Sequence, residues 1–545
     1  MIGTRRITRR SFLAAAGLAA VGASLSLTGC SGSVSDGLSS KHLLVAHSHS
    51  EAHPVNVGLQ KMTEVASAES DLTFSVYPNG QLGDNAAMIQ LVKAGVLDIA
   101  KVSASSMEQF NSAYAIFSMP YVFESTEQYF AVMNQSEAVQ EIFKSTYDQG
   151  FFAIGWFDSG STHYASMERT QGFWPATMYI EGLDQYRGWF QSSLLVAVGA
   201  LERGAPFKEC LTHGWTVDGQ GRAMHKSLGN GMDPAEIFNK YGADLLRLWA
   251  GSSDYHVDVR CSDDIFKQLS QNYLKFRNTA KFCLDNLTGF DPETELVAPA
   301  RMQELDRWAV TRLNSLIRRV FDSYDAYEFH AVSHAINDFC VVDLSSFYFD
   351  IIKDRLYCDG EHSASRRSAQ TALFLILDAM TRMFAPILAF TCEEIWLAMP
   401  HRSADDSRSV LFNCMVQPYE GYALPEDAMD RWARIAAVRT AVNGALEQAR
   451  ADKTIGKSLE AEVDVTVPAE DAFLADMDAD TLADLLIVSQ VRVTVGDELT
   501  VTVAPARGVK CARCWKVLSS VGTVEGHDTL CPRCAAVVKS LPVVE

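Results

Sequence analysis

Apolar positions fall into three different rhythms along this chain. Near the N-terminus, Phe12 to Leu27 is an almost unbroken run of small and apolar residues. From residue 42 to about 100, short apolar segments alternate with longer amphipathic ones. "HLLVAH" predicts a strand, His53 to Ser70 a helix, and "LTFSVYPNGQLGD" a second strand broken by the turn residues Pro78, Asn79 and Gly80. Asp84 is placed to cap the next helix, where Met88, Ile89, Leu91 and Val92 recur at helical spacing. This alternation of β and α is the basis of a doubly wound lobe.

The middle of the chain repeats the pattern with different residues. "MYIEGLDQYRGWFQSSLL" predicts a strand to Ile180, a polar loop from Glu181 to Arg187 and a helix from about Gly188. Acidic and amide side chains at the carboxyl end of a strand are well placed to hold ribose or amino groups at the crevice of an α/β sheet; a solvated helix entry explains them equally well. "FKECLTHGWTVDGQGRAMHKSLGN" predicts a strand and a Gly-rich turn leading to Lys226, Ser227 and Gly229. A mobile loop offering an ammonium, a hydroxyl and backbone N–H groups suits a polyphosphate clamp. In "DPAEIFNKYGADLLRLWA", Asp233 at N-cap, Pro234 at the first helical position and Glu236 three residues on predict a full capping box.

The third rhythm is helical throughout residues 262 to about 400. Leu305, Trp308, Ala309, Leu313, Leu316, Ile317, Val320 and Phe321 recur every three or four residues, leaving Arg312, Arg318 and Arg319 to solvent or RNA. His330 and His334 stand one turn apart, a spacing compatible with a metal. No third ligand is evident, and packed or hydrogen-bonded histidines are the favoured reading.

Composition narrows the classes. A chain of 545 residues that is 48% hydrophobic buries several cores, consistent with roughly three to four domains. The net charge of −20 excludes a generally basic, non-specific nucleic-acid binder while leaving room for a local basic patch. Cysteine usage changes the picture more. Cys30 stands alone, none follows until Cys210, seven occur singly up to Cys414, and four pair off as Cys511, Cys514, Cys531 and Cys534. Scattered single thiols suit a reducing cytosol, and a cysteine-free stretch behind a signal suits export.

The N-terminus reads "TRRITRRSFLAAAGLAAVGASLSLTGC", a charged start and an apolar stretch of roughly 15 residues, too short and too rich in Ala and Gly for a comfortable membrane span. The paired arginines add a twin-arginine character. Its "LTGC" ending resembles a lipoprotein signal, which implies lipidation of Cys30 after cleavage, and "SGSVSDGLSS" then reads as a flexible tether. The blocks "AHPVNVGLQKM", "VYPNGQLGDNAAMIQLVKAGVLDIA" and "FSMPYVFES" resemble the first part of the extracytoplasmic solute-binding proteins of TRAP transporters, which implies organic-acid ligands. In that family a "G-x-R" arginine meets the ligand carboxylate; the matching "SGSTHYAS" carries Thr162 at that place.

From Phe173 onward the two central blocks together resemble the second half of the catalytic domain of class I aminoacyl-tRNA synthetases of the isoleucine type. The "KMSKS" loop of that family corresponds to Ala223, Met224, His225, Lys226 and Ser227. The resemblance implies that Lys226 binds ATP phosphates beside Ser227, that Glu181 and Gly182 meet the aminoacyl-adenylate, and that Asp184 and Gln185 lie at the ribose. The usual "SDQH" is "LDQY" here, at Leu183 to Tyr186. The helical region resembles the anticodon-binding bundle of the same family, and "LEQARADKTIGKSLEAEV" the segment after it.

The tail "CARCWKVLSSVGTVEGHDTLCPRC" sets Cys511-x2-Cys514 and Cys531-x2-Cys534 sixteen residues apart. That spacing brings four thiolates around one Zn2+ and closes a ribbon too small to fold on its own core, with disulfides as the alternative. The tail also resembles the zinc-bearing C-terminus of isoleucine enzymes.

The expected fold is therefore multidomain. A signal (1–30) and tether (31–40) precede a truncated α/β lobe of periplasmic-binding-protein type (41–166) and a junction (167–172). There follow the second half of a Rossmann-like class I synthetase catalytic domain (173–261), an α-helical anticodon-binding bundle (262–440), a small α/β segment (441–505) and a C-terminal zinc ribbon (506–545). The resemblance implies isoleucine–tRNA ligase chemistry with ATP as substrate, Mg2+ on its phosphates, one structural Zn2+ and an isoleucine-acceptor tRNA as partner. No His-x-Gly-His occurs, since "HSHSEAH" lacks the glycine, and no editing segment is recognised. The expectation is a fragment inactive alone. Alternatives are a tRNA-binding or split-synthetase subunit needing a separate chain, and an envelope solute receptor. The synthetase part points to the cytoplasm and the N-terminal signal to export and lipid anchoring, so "HYASMERTQGFWPATMYIEG" reads as a seam.

Overall fold

The structure is a computed structural model that describes residues 42–108, 110–114, 141–142, 144–146, 162–164, 174–201, 203–224 and 229–541. Cys30, Lys226 and Ser227 lie outside these described residues, as does the whole of the predicted junction, 167–172. The chain divides into two compact units, residues 1–211 and 212–545.

The first unit opens with three parallel strands in the order β2-β1-β3: β1 (His42–His47), β2 (Thr73–Tyr77) and β3 (Ile99–Lys101), with Val45 opposite both Val76 and Ile99. A central parallel strand is covered on both faces, which is why "HLLVAH" is apolar without alternating. Val45 packs towards Val55 and Leu59 of helix α1 (Pro54–Glu69), and Ala46 towards Met88 of α2 (Asn85–Lys93). Both helices begin where the sequence predicts. His53 Nδ1 accepts the N–H of Val55 at 3.1 Å, and Asp84 accepts that of Ala87 at 2.8 Å. A short α3 (Ala104–Met107) follows.

Further along, β4 (Ala176–Gly182) pairs with β5 (Phe207–His213). Here the expected polar loop is ordered instead: the strand continues through Gly182 and a 3-10 turn covers Leu183–Arg187 before α4 (Trp189–Leu195). Tyr179 supplies the reason for order, since it stacks on Trp189 with ring centroids 4.5 Å apart and pins both ends of the turn.

In the second unit, β6 (Thr216–Val217) pairs in parallel with β7 (Val259–Arg260), between which lie α5 (Pro234–Tyr241) and α6 (Ala243–Ser252). The cap of α5 is one-sided: Asp233 accepts from Ala235 N–H at 2.8 Å, and the Glu236 N–H goes to the Asp233 carbonyl, so the predicted reciprocal box is replaced by a simple N-cap. The helical body comprises α7 (Asp263–Asn286), α8 (Glu304–Asp325), α9 (Phe329–Asp338), a π-helical stretch (Phe339–Tyr348), α10 (Phe349–Cys358), α11 (Ala364–Phe384) and α12 (Ala389–Ala398). On α8, Leu305, Trp308, Ala309, Leu313, Leu316, Ile317 and Val320 are all buried as the periodicity predicts. Helix α11 is buried from Arg367 to Phe384 and forms the axis of this core.

Helix α13 (Glu426–Ala451) runs unbroken through position 440, where the sequence reading placed a boundary. Its Ala-, Arg- and Glu-rich sequence holds no breaker there. A sheet of order β10-β8-β9 follows, with β8 (Ala461–Val467) parallel to β9 (Gln490–Val495) and antiparallel to β10 (Thr500–Pro505), packed beside α14 (Ala479–Leu486). The chain ends in the hairpin β11 (Val509–Lys510) and β12 (Val517–Leu518) and in α15 (Pro532–Ser540). No described helix is long and apolar enough to cross a membrane.

Candidate metal centre and adenylate segment

The four tail cysteines converge. Hairpin β11–β12 carries Cys511 and Cys514 in its turn, and α15 brings Cys531 at its N-cap and Cys534 in its first turn. Gly508, at φ +129°, is required there, because a Cβ would lie 2.4 Å from the Leu518 carbonyl carbon. All four side chains are buried, and their sulfurs lie within 4.8 Å of one another. Cys514 Sγ and Cys531 Sγ are 3.9 Å apart. A disulfide needs ~2.05 Å, and a tetrahedron of ~2.3 Å Zn–S bonds has edges of roughly 3.8 Å. The four-cysteine cluster therefore fits a closed structural zinc site.

Backbone groups complete it. Cys511 Sγ accepts the Cys531 N–H at 3.3 Å. Burial opposes ionisation of Cys511, but N–H groups of Cys514, Cys531 and Arg513 outweigh it and bring its pKa to about 6, while burial raises Cys514 and Cys534. Arg513, inside the first knuckle, donates to the carbonyls of Cys358 and Tyr357 at the end of α10. Arg533 makes a bidentate pair with Asp354 at 2.5 and 2.8 Å. The ribbon is thus docked on the helical body by two guanidiniums.

The predicted adenylate residues separate into two roles. Glu181 and Asp184 are exposed, and Gly182 is buried. Gln185 is occupied locally: its Oε1 accepts the Trp189 N–H at 2.8 Å and its Nε2 donates to Asp184 Oδ2 at 3.0 Å, so it caps α4. Gly188 admits this cap, since a Cβ there would meet Gln185 Oε1 at 2.5 Å.

The loop bearing Lys226 and Ser227 is bracketed by a residue the sequence reading did not single out. Asp218 accepts the backbone N–H of Gln220 at 3.0 Å and of Arg222 at 2.9 Å, the Arg222 Nε–H at 2.8 Å, and the Asn230 amide at 3.0 Å. Asn230 also donates to the Ala223 carbonyl at 3.1 Å. The Asn230 amide and the Arg222 backbone N–H hold the Asp218 carboxyl well below the usual range. The "VDGQGR" stretch carried the signal: an Asx-type turn immediately before a Gly-rich loop.

Two of the three helical arginines are paired within the protein. Arg312 pairs with Asp343 at 2.9 Å and Arg318 with Glu420, while Arg319 is exposed. His330 Nδ1 lies 3.3 Å from Glu328 Oε2. Among the described residues, the four cysteines are the one cluster of three or more metal-ligating side chains.

Four family models match. "Bacterial extracellular solute-binding protein, family 7" covers residues 45–170, and "tRNA synthetases class I (I, L, M and V)" residues 119–262. "Anticodon-binding domain of tRNA ligase" covers 306–465, and "Zinc finger found in FPG and IleRS" 508–537. The chain is 45% identical over 395 residues to the isoleucine–tRNA ligase of Caldanaerobacter subterraneus subsp. tengcongensis, covering 70% of this chain and 42% of that protein. It is 46% identical over 404 residues to that of Symbiobacterium thermophilum, covering 71% and 43%. A solved TRAP periplasmic solute-binding protein from Anaerococcus prevotii, with bound D-glucuronate, is 36% identical over 22% of this chain and 39% of its own, with a TM-score of 0.20.

The larger, C-terminal part is thus class I tRNA-synthetase-like, with an anticodon-binding domain and a zinc finger. Within that class it is isoleucyl-tRNA synthetase-like, and the N-terminal region carries the solute-binding match. The chain spans about two fifths of the length of the curated relatives it matches.

Proposed function

We propose that the C-terminal part serves ATP-dependent aminoacylation of tRNA with isoleucine, and that its own share of the task is to hold the tRNA and one side of the adenylate. The observation that carries this reading is the 45% identity over 395 residues to isoleucine–tRNA ligases, in a chain whose four tail cysteines converge as a zinc finger needs. Lys226 and Ser227 are assigned to the ATP phosphates, which Mg2+ accompanies, and Lys226 to the charge developing as pyrophosphate leaves. Glu181, Gly182 and Asp184 are assigned to the aminoacyl-adenylate and its ribose. Gln185 orients Asp184 through the 3.0 Å hydrogen bond it donates.

Zn2+ on Cys511, Cys514, Cys531 and Cys534 supplies folding free energy to the ribbon and no open coordination position for chemistry. For the N-terminal region, the family-7 match supports an organic-acid-binding lobe, addressed to the envelope by its signal and held there through Cys30; the synthetase-like part belongs to the cytoplasm.

Fluorescence anisotropy with labelled isoleucine-acceptor tRNA tests the reading. Saturable, salt-dependent binding that prefers this tRNA over a non-cognate one is expected; equal, weak binding to both would overturn it. Isoleucine-dependent ATP–pyrophosphate exchange, measured alone and with a separate chain carrying the first catalytic half, then reports whether the adenylate residues act in this protein.

A further inference from the structure

A cavity of about 410 Å³ opens between α6, α7 and α9 in the second unit, away from the zinc ribbon. Its size falls in the range of small-molecule sites, roughly 300 to 1,000 Å³. The floor is apolar and fully formed: Leu248, Phe276, Ile336 and Phe384 are each at most 5% exposed. Two aromatic rings, Trp249 and Tyr273, add flat walls.

The polar groups on the wall divide sharply. Trp249 Nε1 already donates to the Arg260 carbonyl at 2.9 Å, Tyr273 OH is paired with Thr391 Oγ1 at 3.0 Å, and Ser333 Oγ donates to the Gly251 carbonyl at 2.8 Å. The exposed imidazole of His334 and three carboxamides remain. Gln268 and Asn272 stand one turn apart on α7, and Asn337 faces the cavity from α9. None of the three has a hydrogen-bond partner among the described residues, and the Asn337 amide oxygen is buried without one. A buried amide oxygen left unpaired is costly, so the Asn337 acceptor calls for a donor, and the exposed amides of Gln268 and Asn272 stand at the rim of the same space.

A carboxamide offers a donor and an acceptor side by side. Its complement is a planar edge with the same pair reversed, as adenine presents with its exocyclic amine and adjacent ring nitrogen. Aromatic walls and an apolar floor suit the faces of such a heterocycle. The mouth carries the carboxylates of Asp254 and Asp258 against the single guanidinium of Arg260, an arrangement that disfavours phosphate. We propose that this cavity is a binding site for a purine nucleoside, recognised through its base edge by the carboxamides of Asn337, Asn272 and Gln268.

Isothermal titration calorimetry of the full chain with adenosine, purine riboside and AMP tests the assignment. Adenosine is expected to bind saturably. Purine riboside, which lacks the exocyclic amine, and AMP, which adds phosphate at the acidic mouth, are each expected to bind roughly tenfold more weakly or worse. Asn337→Leu removes the amide at nearly constant volume, and Asn272→Trp blocks the mouth from an exposed position; both should abolish adenosine binding, with circular dichroism confirming the fold. A single-stranded oligoadenylate that displaces adenosine assigns the base to RNA, and one that does not assigns a free nucleoside. The proposal falls if adenosine gives no saturable heat, if purine riboside binds equally, or if binding survives Asn272→Trp in a folded protein.

Discussion

Ser193 Oγ lies 3.1 Å from His163 Nδ1, in a fully buried contact between a residue where the solute-binding and class I synthetase matches overlap and a residue of α4 that only the synthetase match covers. The Tyr179 hydroxyl continues the chain to Ser193 at 2.9 Å, and the ring of Trp174 lies 5.2 Å from that of His163. The described residues on either side of the junction, His163 before it and Trp174, Tyr179 and Ser193 after it, therefore pack together. His163→Ala should destabilise the first unit by about 1–3 kcal/mol, because it leaves the Ser193 hydroxyl buried without this partner. Urea unfolding followed by tryptophan fluorescence reads this out. An unchanged midpoint would show that the segment around His163 contributes no folding energy to the synthetase-like part.

Asp218 predicts a pH dependence for the loop of Lys226. Its carboxyl is held below the ordinary range by four hydrogen bonds that only the ionised form accepts fully. A depressed folded-state pKa contributes stability above the unfolded value near 4, which is lost as pH falls towards the folded value. Asp218→Asn should remove that contribution at pH 7, and the difference between the two proteins should shrink only as pH falls well below the ordinary carboxylate range. Amide hydrogen exchange of residues 219–230 at pH 7 is expected to quicken in the variant. Equal protection in both proteins would place the loop's order elsewhere.

How far the sequence told this in advance depended on the range of the interactions involved. Helix α1 begins and ends at the predicted caps, His53 and Ser70, because capping is a local event between residues two or three apart. The apolar stripe of α8 was legible for the same reason, and the cysteine spacing defined the ribbon because two short knuckles leave few ways to place four thiols. Arg312 and Arg318 were not legible. Their partners, Asp343 and Glu420, lie 31 and 102 residues away, so a face expected to meet solvent or RNA is partly neutralised within the protein. Gln185 shows the converse. Its amide identity suited a ribose, but a bond to Trp189 N–H four residues on makes it a cap, visible only once the 3-10 turn is in place.

Metal removal should reach beyond the ribbon. Structural zinc sites of this kind contribute apparent binding free energies of about 10–16 kcal/mol, and here Arg513, between the first two ligands, donates to the carbonyls that end α10. Chelation of the purified protein should expose four additional reactive thiols to a thiol-specific dye, matching the four-cysteine cluster. It should also raise amide exchange at the C-terminal turn of α10. Arg513→Ala should raise that exchange while leaving the metal in place, so the two changes separate ribbon folding from ribbon docking.

A buried ion pair on α8 makes a further stability prediction. Asp306 is fully buried on α8, and its carboxylate pairs with Arg355 of α10 at 2.5 Å while accepting hydrogen bonds from Tyr348 OH at 2.7 Å and Ser368 Oγ at 2.5 Å. Three elements thus meet at one carboxylate, the π-helical stretch through Tyr348, α10 through Arg355 and α11 through Ser368. Removing one member of a buried pair costs about 3–5 kcal/mol, because the other charge stays behind uncompensated. Asp306→Ala is expected to lower the stability of the second unit by that amount, measured by guanidinium titration of ellipticity. Asp306→Ala combined with Arg355→Met should recover a substantial part of the loss, since an apolar pair in a packed core removes the stranded charge. If the double variant is no more stable than the single one, the network's worth lies in its hydroxyl hydrogen bonds rather than in the ion pair.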